Sequence, residues 1–171
     1  MQTFSKIANR IINQRLIKFA KTNDLYSIRQ TGSLLQRVTF DAGISLKHWI
    51  EEAQVAGLKA STMFLDSIKG GFDNVDHRSL IVRLSSRNIP SYMVKWIANF
   101  ISSRQCALVF PGSPRRMKSI NTGIPQGSPL SPILFVIYVE PLHECHDMMN
   151  KFIFSYLDNI QITVSSTSAK I

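Results

Sequence analysis

Cysteine is scarce in this chain. Cys106 and Cys145 are its only two, and their spacing does not make a disulfide framework, so a reduced intracellular chain is the simplest account. Acid is also scarce. Twenty Lys and Arg against 11 Asp and Glu leave 20 − 11, a net charge of +9. That surplus suits a polyanionic partner, because basic side chains release counterions from nucleic acid. Ribosomal, mitochondrial and membrane-surface proteins share such a balance, so charge alone selects nothing. Long apolar runs are missing too. The longest, Ile133–Val139, falls far short of a bilayer span, and no membrane partner is expected. There is no internal repeat, linker or low-complexity tract. What is present is one domain's worth of chain, 171 residues. An apolar fraction of 44% with mean hydropathy +0.02 fits a packed core rather than disorder.

The chain is organised around Asn121–Pro132. Pro125, Pro129, Pro132, Gly123 and Gly127 impose an irregular backbone there. Ser131-Pro132 reads as an N-cap followed by a first-turn proline, and the apolar run behind it reads as a buried helix. Gln126 and Ser128 are the polar side chains of this loop with the reach to touch a ligand. Upstream, Phe4–Lys21 has an apolar stripe of Phe4, Ile7, Ala8, Ile11, Ile12, Leu16 and Phe19 at helical spacing. Gln30–Ser33 and Arg37–Thr39 form a polar loop. Thr39 or Asp41 caps a second helix that buries Leu46, Trp49, Ile50 and Ala53, with Gly57 at its end. Thr62–Leu65 reads as a strand and His77–Ser86 as a helix capped by Asp76. Ser91 caps another helix, with Met93, Trp96, Ile97, Phe100 and Ile101 as its core side. Cys106–Phe110 reads as a strand, Pro111–Pro114 as a turn, and Lys151–Leu157 with Ile160–Val164 as a hairpin around Asp158-Asn159. Asp-Asn by itself suits a two-residue turn that needs positive φ. Irregular alternation of helices and strands predicts an α+β fold with a mainly antiparallel sheet.

Three stretches carry a family resemblance. Gly-Ile-Pro-Gln-Gly-Ser-Pro-Leu-Ser-Pro-Ile-Leu-Phe, residues 123–135, resembles the template-gripping loop of reverse transcriptases from non-LTR (LINE-type) retrotransposons. A fungal element is the expectation. Phe64-Leu65-Asp66 through Gly70-Gly71-Phe72-Asp73-Asn74-Val75 resembles the first catalytic-carboxylate motif of that family. Ser155-Tyr156-Leu157-Asp158-Asn159 resembles its Tyr-x-Asp-Asp hairpin. All three stand in the family's order, and the likeness extends back through Lys6–Leu25 and Gln30–Thr39. It implies a right-hand polymerase palm, an antiparallel sheet backed by helices, over residues 61–171. Residues 1–60 would be partial fingers, and no stretch resembles a thumb.

The resemblance also implies the chemistry. A 3′-hydroxyl attacks the α-phosphorus of a deoxynucleoside triphosphate, and both attacking and leaving oxygens develop negative charge. Two Mg2+ ions can hold those oxygens, and hard cations of this kind take carboxylate and phosphate oxygens. Asp66 and Asp158 match the metal-holding carboxylates, with Asn159 at the second position of the catalytic hairpin. Phe72 matches the bulky residue under the sugar. Gln126, Gly127 and Ser128 match the loop that holds template and nucleotide, and Arg37 is placed to contact a phosphate. Arg115, Arg116 and Lys118 form a basic cluster beside the expected nucleic acid. The implied partners are an RNA template, a DNA primer and deoxynucleoside triphosphates, and the implied location is nuclear or cytoplasmic.

Two departures predict weak or absent catalysis. Asp66 to Asp73 spans 73 − 66, or seven positions, one more than the family's pattern, as if Ser67 were inserted. Strand side chains alternate faces, so one extra residue turns Asp66 to the wrong face unless a bulge absorbs it. Asn159 stands where the family has a second aspartate, and an amide keeps an oxygen but loses the charge. Such a site would bind metal weakly, and the chain reads as a truncated, decayed copy. A second reading is a non-catalytic basic nucleic-acid-binding module. A third is a mitochondrial protein with a leader, from Lys6, Arg10, Arg15, Lys18 and Lys21 in the first helix. His143, Cys145 and His146 suggest zinc but lack a second ligand pair at finger spacing, so an ordinary helix end is expected there.

Overall fold

The computed structural model describes residues 3–25, 27, 29–32, 39–65, 70–102, 104–112, 116–144, 151–157 and 159–167. These residues form two compact units. One comprises Met1–Thr22 and Gly70–Tyr138, the other Asn23–Lys69 and Val139–Ile171.

The first unit contains helices α1 (Thr3–Thr22), α3 (His77–Ser86), α4 (Ser91–Ile101) and α5 (Ser131–Val139), and a hairpin of β2 (Arg104–Leu108) and β3 (Arg116–Ile120). In α5 the residues Ile133 to Ile137 are all buried, as expected of a helix that is apolar on every side. Leu80 and Leu84 of α3 and Met93, Ile97 and Ile101 of α4 complete much of this core. Asp76 caps α3 as the sequence predicts: its Oδ1 accepts from Ser79 N at 2.7 Å.

Five local expectations need correction. The predicted α1 stripe is divided, with Ile12 and Leu16 buried but Phe4, Ile7 and Ile11 exposed. Periodicity identifies a face and does not say how much of it finds cover. Trp96 is 40% exposed and not a core residue; its Nε1–H donates to Asn9 Oδ1 at 3.1 Å, which holds the indole at the edge of the helix. Ser91 lies inside α4, whose N-cap is Pro90 with no side-chain cap bond. Ser131 is likewise the first residue of α5, and its hydroxyl donates back to the Pro125 carbonyl. Strand β2 sits two residues earlier than expected, because its ladder with β3 ends at Leu108↔Arg116.

The second unit contains α2 (Thr39–Val55), the four-residue α6 (Pro141–Glu144) and a three-stranded antiparallel sheet of order β1-β5-β4. The strands are β1 (Lys59–Leu65), β4 (Lys151–Tyr156) and β5 (Asn159–Ser166). β1 begins before the predicted Thr62 because its pairing runs from Lys59↔Ser166 to Leu65↔Ile160. Lys59 and Ser61 have no apolar signature, so only the partner strand reveals them. Thr62 and Thr163 join their hydroxyls across the pair at 3.1 Å. Helix α2 covers this face through Trp49, stacked on Phe152 with ring centroids 6.1 Å apart. The result is an antiparallel sheet backed by helix, as the α+β reading requires.

Candidate active site

In the first unit, the loop between β3 and α5 is fastened to the turn at Phe72–Val75. Gly123 N donates to Val75 O at 2.8 Å, and Ile124 N donates to Phe72 O at 2.7 Å. His77 Nε2 lies 2.7 Å from Gly123 O; a carbonyl only accepts, so the imidazole carries its proton on Nε2. The approach is so close that a Cβ on Gly123 would lie 2.6 Å from Asp73 O and 2.8 Å from Asp73 C and Cα. Only glycine fits there, and its φ of +76° is itself a glycine conformation.

This fastening sets the side chains of the motif. Phe72 stacks on buried Phe135 of α5 at 4.7 Å and 13°, which fixes its ring. Asp73 receives the Gln126 amide: Nε2 lies 3.3 Å from Oδ1 and 3.4 Å from Oδ2. A carboxylate only accepts, so the amide nitrogen must face Asp73 and the Gln126 carbonyl oxygen is turned away from it. Gly127 is exposed at φ +82° with open space where a Cβ would be. Ser128 is 5% exposed, and its Oγ accepts from Leu130 N at 3.3 Å. Ser128 thus shapes the loop from inside, while Gln126 stands at its surface. A cleft of about 520 Å3 beside them is lined by Asp73, Arg104, Ile120, Thr122, Ile124, Pro125 and Gln126.

In the second unit, Tyr156 pairs with Asn159 at the closed end of the β4–β5 hairpin. Asn159 therefore opens β5 and is not a turn residue, unlike in the Asp158-Asn159 turn that the sequence predicts. Leu157 takes φ +54°, which is uncommon for a leucine. A strap holds it there. Gln30 Oε1 accepts from Leu157 N at 3.2 Å and from Gly32 N at 3.0 Å. Ser155 N donates to Arg29 O at 3.1 Å, and Thr31 N donates to Ser155 O at 2.9 Å. Gly32 passes so close to Leu157 N that no Cβ fits between them. His143 Nε2 meets Ser155 Oγ at 2.8 Å. A cleft of about 320 Å3 runs beside the tip, lined in part by Phe64, Leu65, Tyr156, Asn159 and Gln161.

Sequence reasoning, which gives Gln30–Ser33 as a polar loop, missed that Gln30, Thr31 and Gly32 are buried; a polar stretch with a glycine carries no signal of what it will cross. It likewise missed the Asp73–Gln126 bond and His77. Of the predicted site residues, Phe72, Gln126, Gly127, Ser128, Arg116, Lys118 and Asn159 are described, with Asn159, Arg116 and Lys118 exposed. Asp66, Asp158, Arg37 and Arg115 lie outside the described residues, as do Ser67, Cys145 and His146. Among the described residues no three His, Cys, Asp or Glu are grouped to hold a metal.

Residues 1–170 match the family described as "Reverse transcriptase (RNA-dependent DNA polymerase)". The chain belongs to that reverse transcriptase family. Its relatives are proteins of non-LTR retrotransposons. It is 26% identical over 172 residues to the RNA-directed DNA polymerase from mobile element jockey of Drosophila funebris, covering 98% of this chain and 19% of that protein. It is 30% identical over 99 residues to the Pol polyprotein of the type-1 retrotransposable element R2 of Popillia japonica, covering 58% of this chain and 16% of that protein. The reverse transcriptase domain thus spans less than a fifth of the length of these relatives. Its fold is similar to part of two telomerase structures. The Candida tropicalis telomerase in complex with a telomeric RNA fragment superposes with TM-score 0.69 at 11% identity, over 97% of this chain and 29% of that one. The Candida albicans telomerase gives 0.67 at 12%, over 94% and 30%.

Proposed function

We propose that this reverse transcriptase domain is built for RNA-templated DNA synthesis and that synthesis by this copy is weak or absent. Residues 1–60 serve as partial fingers and 61–171 as palm, and the ligands are an RNA template, a DNA primer and deoxynucleoside triphosphates. One observation carries the reading. The strand that leads into Asp66 and the hairpin that carries Asp158 are hydrogen-bonded neighbours, with Leu65 opposite Ile160 and Tyr156 opposite Asn159. A strand end beside a hairpin tip is what two carboxylates of distant sequence need in order to share cations.

Oxygen donors suit a hard cation, so Asp66 and Asp158 are the residues that would hold Mg2+, two ions by family. Bound there, the ions would stabilise charge on the attacking and leaving oxygens. Asn159 contributes an oxygen without charge, and Ser67 lengthens the segment behind Asp66. Both lower the affinity for cations. Phe72, pinned on Phe135, supports the sugar, and Gln126 with Gly127 meets template and nucleotide, while buried Ser128 sets their loop. Arg116 and Lys118, exposed on β3, contact phosphates, with Arg37 and Arg115 in the same role.

Among the described residues no helix is long and apolar enough to cross a membrane; the proposed setting is intracellular, in nucleus or cytoplasm. The non-catalytic binding module is favoured only by the basic β2–β3 face. Primer extension with Mg2+ and an RNA template separates the two. Trace synthesis that rises in a variant lacking Ser67 and carrying Asn159→Asp supports the proposal. Robust synthesis by the chain as it stands would refute the weakness, and RNA binding with no synthesis by either protein would favour the binding module.

A further inference from the structure

Arg104 is the unexplained group of the first unit. It stands first on β2, lines the cleft of about 520 Å3 and is half-buried. One guanidinium nitrogen, Nη2, donates to Thr122 O at 2.9 Å, while Nε is enclosed and makes no hydrogen bond. No carboxylate forms an ion pair with it among the described residues. The acid that lines the same cleft, Asp73, has both oxygens turned to the Gln126 amide. A half-buried guanidinium with an enclosed, unsatisfied Nε–H and no ion pair among the described residues gains from a further acceptor, and a phosphate supplies one.

The register shows where such an anion belongs. Arg104 pairs with Ile120, Cys106 with Lys118 and Leu108 with Arg116. Alternate residues of a strand share a face, so Arg104, Lys118 and Arg116 lie on one side of the ribbon. The diagonal step from Arg104 to Lys118 is about 7–8 Å and the step along β3 from Lys118 to Arg116 about 6.8 Å, spacings that successive phosphates of an extended strand can follow. A cationic row thus runs along β3 and ends inside the cleft that Gln126 borders.

We infer that Arg104 is a phosphate anchor: it holds one backbone phosphate of the single-stranded nucleic acid that Lys118 and Arg116 track, at the end of that row beside Gln126. This rests on the nucleic-acid reading above and adds the residue that stops the strand there. Its guanidinium is pre-oriented by the Thr122 carbonyl, so little side-chain freedom is lost when the phosphate arrives.

The test is binding of single-stranded oligo(U) RNA to the whole chain across a salt series. Each phosphate contact contributes a slope of about −0.7 in log K against log[salt] for single strands. Arg104→Gln, which can still donate to Thr122 O, is expected to weaken binding and lower the slope magnitude by about that amount. Arg104→Lys keeps the charge and should keep the slope. Arg78→Gln, an exposed cation of α3, should change neither. A wild-type slope for Arg104→Gln overturns the anchor alone, whereas absence of salt-dependent binding by the wild type overturns the anchor and the nucleic-acid reading together. If Arg104→Gln does not fold, phenylglyoxal footprinting of the wild type decides: RNA should protect Arg104. Equal modification with and without RNA, or protection by a deoxynucleoside triphosphate but not RNA, overturns the assignment to a backbone phosphate.

Discussion

Gly123→Ala is the sharpest perturbation of this site. The added methyl would sit 2.6 Å from Asp73 O and 2.8 Å from Asp73 C and Cα, all backbone atoms that cannot swing aside. Relief requires the loop to lift, which breaks Gly123 N→Val75 O and Ile124 N→Phe72 O. Two such bonds contribute about 0.5–1.5 kcal/mol each, and a non-glycine residue in the left-handed region costs about 1–2 kcal/mol. Together the loss is about 2–5 kcal/mol, a large share of the roughly 5–15 kcal/mol that holds a domain folded. For a chain of this size that lowers Tm by about 4–20 °C. Gly127→Ala is the control, because it shares the positive φ of +82° but meets nothing within 4 Å. Its loss should be confined to the backbone term of about 1–2 kcal/mol. Thermal melts and urea titrations of both variants measure the difference. Equal melting of the two would refute the claim that this loop is fixed by backbone contact with Asp73.

Asp73→Leu removes both acceptors of the Gln126 amide; nucleotide or template affinity should fall by about tenfold, in line with one charge-assisted bond of about 1.5 kcal/mol, with little change in Tm, and unchanged affinity would mean that Gln126 needs no orientation. Gln30→Leu leaves Leu157 N and Gly32 N without their acceptor; a loss of about 1–3 kcal/mol and faster hydrogen exchange at Leu157 are expected, and undisturbed exchange there would exclude the strap. Hydrogen bonds from Ser79, and more weakly the neighbouring His77, hold the Asp76 carboxyl below its ordinary 3.8. A lowered folded-state value means that the cap stabilises α3 fully above that pH and loses its contribution as pH falls through the folded value. Acid titration by circular dichroism should show this loss in the wild type and not in Asp76→Ala, and identical acid limbs would discount the cap.

Much of the fold was readable because its signals are local. Asp76 before Leu80 and Leu84 specifies a capped helix, and the run behind Ser131-Pro132 specifies a buried one. The three motif strings identify the family through their order, while the charge of +9 selects no partner by itself. None of this needs a partner segment. The start of β1, the exposure of Phe4, Ile7 and Trp96, and the true tip of the last hairpin could not be read in this way, since each depends on what another stretch covers or pairs with.

The site shows the same division more sharply. Sequence alone supplied the candidates for the proposed chemistry, because residue type and order are sequence properties: carboxylates at Asp66 and Asp158, the amide at Gln126, the aromatic at Phe72. Tertiary structure decided what those groups can do. It turned the Gln126 amide onto Asp73, buried Ser128, strapped Leu157 with Gln30 and left the Arg104 Nε enclosed without a hydrogen-bond partner. Hydrogen bonds and counter-charges are short-range and directional, so they follow from which backbones meet in space and not from which residues are neighbours along the chain.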